Sequence, residues 1–155
     1  MGFHEYEWRY DVASIALNGH INLPQLRRAI QLLTPYKYEF RGLISELRAK
    51  LVVGALPSVE EVRKAADFED IHHDIDFWVV FRSELFADVP VQIKSSKEGI
   101  EQVIRDKGKL NPEIIYLNCG PRATDEEILG EFFTQLAVIH NRSHTQELQN
   151  LDNND

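Results

Sequence analysis

Two short apolar runs, each broken by polar residues, constrain this chain more than any other feature. The first is His73-Asp74-Ile75-Asp76-Phe77-Trp78-Val79-Val80-Phe81, the second Val89-Pro90-Val91-Gln92-Ile93-Lys94. Both are apolar enough to fill the interior of a sheet. Asp76 interrupts the first; Gln92 and Lys94 interrupt the second, two apart and therefore on one face of a strand. A carboxylate or an ammonium buried without a partner is strongly unfavourable, so such groups pair with each other or with a metal. Paired strands 75–82 and 89–95 would let Asp76 meet Gln92 and Lys94. Asp74 and Asp76 are expected on one side of the first strand, and Ile75, Phe77, Val79 and Phe81 on the other.

Helical periodicity surrounds these strands. Leu23, Leu26, Ile30 and Leu33 recur at three- and four-residue spacing, with Pro24 at the start and Thr34-Pro35 as the break. Leu43, Leu47 and Leu51 form a second apolar stripe, predicting a helix over 38–53 that ends at Gly54 and Pro57. Ser58-x-x-Glu61 reads as a capping box for a short helix over 59–66. Ser95-x-x-Glu98 caps a predicted helix over 97–107, and Thr124-x-x-Glu127 opens another that runs to about 140, with Ile128, Phe132, Leu136 and Ile139 on one face. Glu113 to Asn118 reads as a short strand. Asn18-Gly19 suggests a hairpin within 4–22. Residues 141–155 are polar and read as a disordered tail. The expectation is one α/β domain over 1–140, a central mixed sheet of about four strands flanked by helices.

Composition sets outer limits. With 155 residues, 43% of them hydrophobic, the chain can bury a sizeable core. No run approaches the roughly 18 apolar residues of a membrane span, and Met1-Gly2-Phe3-His4 has neither a basic nor an apolar leader region. With a single cysteine, Cys119, this gives the expectation of a cytoplasmic protein. The net charge of −8 argues against a general nucleic-acid coat protein. It does not exclude an enzyme with a local basic surface: from Lys94 to Lys109 five cations face three acids.

The chemistry that suits Asp, Gln and Lys on adjacent strands is phosphodiester hydrolysis. A carboxylate holds a divalent cation that acidifies water and polarises a phosphoryl oxygen. Mg2+ takes oxygen ligands and keeps several waters, and an ammonium stabilises charge developing on the phosphate. Here the sequence resembles the PD-(D/E)XK, or restriction-endonuclease-like, nuclease superfamily over residues 38–118. The resemblance rests on Ile75-Asp76-Phe77 and Val91-Gln92-Ile93-Lys94-Ser95-Ser96, with Gln in place of the motif's Glu as in Mrr-type enzymes. It also rests on a helix glutamate, Glu46 first and Glu39 second. It implies a helix–strand–strand–strand–helix–strand core. It implies Mg2+ or Mn2+ bound by Asp76, the side-chain oxygen of Gln92 and the backbone carbonyl of Ile93. Lys94 would be the catalytic lysine, Glu46 its support, DNA the substrate, and a homodimer the working form. Ile75 stands where the family often has proline.

Simpler readings stand beside this one. Gln92 and Lys94 could be solvated residues of an edge strand. Asp76 could be a structural partner of Lys94 in a catalytically silent nuclease-fold protein that serves as an interaction or regulatory partner. His72, His73 and Asp74 suggest zinc, yet adjacent strand residues face opposite ways; they read as surface, with Asp74 a secondary metal or water contact. Cys119 reads as structural, and Trp8 and Trp78 as packing residues.

Overall fold

The computed structural model describes residues 23–66, 68–69 and 74–154. The hairpin expected within 4–22, together with Trp8, His72 and His73, lies outside the described residues. The elements follow the order α1 (Leu23–Leu33), a 3-10 turn (Thr34–Tyr36), α2 (Arg41–Gly54), β1 (Val59–Lys64), β2 (Phe77–Phe81), β3 (Val89–Lys94), α3 (Lys97–Lys107), β4 (Ile115–Asn118) and α4 (Asp125–Asp152). The four strands form one mixed, open sheet in the order β1-β2-β3-β4. The first two pairings are antiparallel and β3–β4 is parallel. The α/β class and the mixed four-stranded sheet agree with the sequence reading.

Two apolar clusters divide the sheet's faces. Phe77, Val79, Phe81, Val91, Ile115 and Leu117 pack with Ala49 and Val53 of α2 and Ile128 and Phe132 of α4. Tyr116, Ile75 and the partly buried Trp78 pack with Val103 and Ile100 of α3. Leu26, Ala29 and Leu33 of α1 close over Leu47 of α2. At the outer edge, α4 side chains stand in for a fifth strand. Gln135 accepts from the Tyr116 N–H and donates to the Tyr116 carbonyl, both at 2.8 Å, and Glu131 accepts from the Asn118 N–H at 3.1 Å. The edge that would otherwise recruit another strand is thereby closed.

Three segments differ from the sequence reading. Residues 59–64 form strand β1, not a helix. A β-bulge between Val59 and Glu61 spaces the two buried valines, Val59 and Val62, three apart, which imitates helical periodicity. The helix α3 is capped by Ser96, whose hydroxyl accepts from the Gly99 N–H at 3.1 Å, rather than by Ser95. The segment read as a tail continues α4 to Asp152, past the expected end near 140; its residues from Asn141 onward are exposed. Thr124 caps α4 as expected, accepting from the Glu127 N–H at 3.1 Å.

Candidate active site

The chain enters β2 through a break at Asp74, the one non-glycine residue of positive φ (55°) among the described residues. That break overrides the expected alternation. Ile75 belongs to the α3 side of the sheet while Phe77 and Val79 belong to the other, so Asp74 and Asp76 are not two members of one regular strand face. The Asp74 carboxylate pairs with Lys107.

Past the break, side chains complete the ladder. The Asp76 N–H donates to the Val91 carbonyl at 2.9 Å. Asp76 Oδ2 then accepts the Ile93 N–H at 2.6 Å, filling the place of the backbone acceptor that the turned chain no longer offers. The Gln92 amide is buried. In the orientation that satisfies its neighbours, its nitrogen donates to the Asp74 carbonyl at 3.0 Å and its oxygen accepts from Lys94 Nζ at 3.2 Å. Asp76 and Lys94 thus lie together at the end of β3, with Gln92 bound to the lysine.

A cavity of about 260 Å³ opens there, lined by Gly42, Ser45, Glu46, Asp76, Ile93, Lys94 and Ser95. Glu46 reaches it from α2; Glu39, in the turn before that helix, does not line it. Gln92 is set back from it, with its oxygen on the lysine. No family model, curated protein or solved structure matches the chain. The cavity's own groups therefore decide what it can do.

Its polar lining comes from the carboxylates of Glu46 and Asp76, the hydroxyls of Ser45 and Ser95 and the Lys94 ammonium. A strand residue directs its N–H and C=O to the same neighbour, so the Ile93 carbonyl faces the Asp76 side. Among the described residues no three His, Cys, Asp or Glu side chains converge on a metal-sized point. Oxygen donors of this kind are the ones a hard divalent cation takes, one or two carboxylates at a time, while it keeps much of its water. The amide oxygen of Gln92 faces Lys94, so the expected third ligand is better placed to hold the ammonium.

Three further residues shape the cavity without having been singled out in the sequence. Lys50 is buried, and its ammonium lies 2.9 Å from Glu46 Oε1; the Glu46-x-x-x-Lys50 spacing, glutamate first, is the favourable helical order and was the readable signal. Gly99 lies against the Lys94 stem: a Cβ there would stand 3.2 Å from Lys94 Cβ and 3.3 Å from Cδ. Gly120 permits the turn after β4 to approach the end of β3, since a Cβ would fall 2.6 Å from the Ser95 carbonyl oxygen. The same turn is joined to β3 by the Cys119 N–H, which donates to the Lys94 carbonyl at 2.8 Å. Cys119 itself is inside the core, and burial pushes its thiol up to about 12. It is a neutral wall, not a nucleophile. Trp78 packs as expected, its indole N–H donating to Glu69 at 2.9 Å.

Proposed function

We infer that the chain is a metal-dependent phosphodiesterase acting on DNA, with a restriction-endonuclease-like core. One observation carries this reading: Glu46 of α2, Asp76 at the entry to β2 and Lys94 at the end of β3 line one cavity. The order α2–β1–β2–β3–α3–β4 supports it as well, because it is the helix–strand–strand–strand–helix–strand order of that superfamily.

In this reading Asp76 and the Ile93 carbonyl would hold Mg2+ or Mn2+, which when bound would polarise the phosphate and acidify a water. The Lys94 ammonium, steadied by the Gln92 oxygen, faces the phosphoryl oxygens and stabilises the charge that develops on them. Glu46 contributes from the helix wall, with Lys50 balancing its charge.

The test is cleavage of single-stranded and duplex DNA with Mn2+ by the wild type and by Lys94→Ala. Cleavage lost in a variant that folds normally is the expected result; undiminished cleavage by that variant overturns the assignment. A second reading, a silent member of the fold that serves as a binding partner, has its own support. Asp76 already accepts a backbone N–H and Glu46 already pairs with Lys50. Mn2+ calorimetry separates the two, since only the active centre loses a measurable binding heat on Asp76→Ala.

A further inference from the structure

On the other side of Ser45 lies a second cavity, of about 380 Å³, inside the size range of small-ligand sites. Ser45 lines both cavities. The helix explains the arrangement. Arg41, Ser45 and Arg48 follow i, i+4, i+7 spacing and share one stripe of α2, while Gly42 and Glu46 form the neighbouring stripe that faces the first cavity.

The chemistry of the second cavity is unlike the rest of this acidic chain. Lys37, Arg41 and Arg48 line it, and no carboxylate does among the described residues. Arg48 is partly committed: it donates to the Gly120 carbonyl at 3.3 Å and to the Ala123 carbonyl, and pairs with Asp125 at 3.0 Å. It therefore fixes the wall, and Lys37 and Arg41 supply the charge. Ile44, Pro121 and the buried Cys119 give the cavity an apolar side. At its mouth stands Tyr38, 91% exposed, with Lys37 Nζ 5.5 Å from its ring centroid. An aromatic ring held in water beside Lys37, over a half-apolar pocket whose wall carries Arg41, matches a ligand that is both planar and anionic.

We propose that this cavity seats an unpaired nucleotide of a nucleic-acid strand whose scissile phosphodiester lies in the neighbouring Lys94 cavity. Tyr38 stacks on the base; Lys37 and Arg41 meet its flanking phosphates. The position of the scissile bond rests on the phosphodiesterase reading; the nucleotide seat does not. The substrate class is single-stranded or locally opened DNA. The distance is suitable: adjacent faces of a helix about 10 Å across are spanned by a few nucleotides of strand. A base inside a duplex offers no free face to Tyr38, whereas an unpaired one does.

The experiment is fluorescence anisotropy with a labelled oligo-dT strand and with a blunt duplex of equal length, in EDTA so that no hydrolysis occurs. The wild type, Tyr38→Ala and Lys37→Ala/Arg41→Ala are compared across salt concentrations, with circular dichroism as the folding control. The expected result is preference of the wild type for the single strand, a roughly tenfold loss in Tyr38→Ala, and a shallower salt dependence in the double variant, by about 0.7 per lost phosphate contact. Equal affinity for strand and duplex overturns the proposal. So does wild-type affinity in either variant, or displacement of the strand by inorganic polyphosphate of equal charge at equal concentration. The two readings fail separately. Strand binding of this pattern without Mn2+-dependent cleavage leaves the nucleotide seat and removes the hydrolase. Lys94-dependent cleavage with Tyr38, Lys37 and Arg41 all dispensable does the reverse.

Discussion

The carboxylate of Asp76 accepts the backbone N–H of Ile93 at 2.6 Å. The bond ties a candidate metal ligand to the strand that carries Lys94, one residue away from the lysine. It arises because the chain turns at Asp74 and leaves β3 without its next backbone acceptor on the β2 side. The same side chain thus closes the sheet and faces the cavity, so its two roles can be separated by substitution.

Asp76→Asn keeps an acceptor oxygen for Ile93 and removes the charge. Asp76→Ala removes both. Leaving a partly buried N–H unpaired costs about 1–3 kcal/mol. Urea denaturation should therefore show Asp76→Ala destabilised by about that amount and Asp76→Asn close to wild type. Calorimetry should show Mn2+ binding lost in both. Wild-type Mn2+ affinity in the Asp76→Asn variant would falsify the metal role while leaving the structural one intact.

Gly99→Ala should separate stability from activity. In a helix alanine is favoured over glycine by about 0.5–1 kcal/mol, so thermal stability should hold or rise. The new Cβ, however, falls 3.2 to 3.4 Å from three carbons of the Lys94 stem, and the stem must shift by a few tenths of an ångström. Small misplacement of a catalytic group is costly to rate; a fall of about tenfold in cleavage rate is expected. Unchanged rate together with a raised melting temperature would show that Lys94 absorbs the shift without consequence.

The parts of the fold legible in the sequence are those where burial and periodicity coincide. In β2, Phe77, Val79 and Phe81 are buried and alternate with partly exposed neighbours, and β3 ends in the polar pair that marked the site. β1 was hidden because a bulge turned its alternation into a three-residue repeat, and because Ser58 and Glu61 happen to match a helix cap. The far end of α4 was hidden because, after Leu136 and Ile139 pack against the core, every described residue from Asn141 onward is exposed; a helical segment that turns no apolar face to the core leaves no periodic trace. At the site, strand spacing brought Asp76 to Lys94. It could not show that Gln92 turns its oxygen to the lysine, since that depends on the break at Asp74. Nor could it show the second cavity, whose walls join α2 to a turn more than 70 residues later.

The Glu46–Lys50 pair should be strongly coupled. Lys50 is 3% exposed, so removing its partner leaves an ammonium in the protein interior. Breaking a buried pair from one side costs about 3–5 kcal/mol; with Glu46 itself partly exposed, about 2 kcal/mol is expected for Glu46→Gln. Replacing both, as Glu46→Gln with Lys50→Met, should be less destabilising than Glu46→Gln alone. A double-mutant cycle on denaturation free energies measures this directly. Strict additivity would mean that Lys50 finds another partner when Glu46 is lost.

Cys119 should make the fold alkali-sensitive in a defined window. Burial holds its thiol at about 12 in the folded chain, against 9.0 for the exposed group. Between those values the unfolded chain has released the proton and the folded chain has kept it. The unfolded state therefore binds fewer protons, and stability falls as pH rises, by up to about 1.4 kcal/mol per pH unit. Below pH 9 the contribution is fully present. Cys119→Ala removes this dependence, so urea midpoints measured from about pH 8 to 11 should converge for the two proteins as pH rises, starting from a higher value in the wild type. Thiol labelling gives the matching kinetic signature. At about pH 8 the native chain should react with iodoacetamide far more slowly than the chain in urea, at a rate set by opening of the contact between the turn after β4 and the end of β3. Rapid native labelling would place the thiol in water and remove the basis for the pH effect.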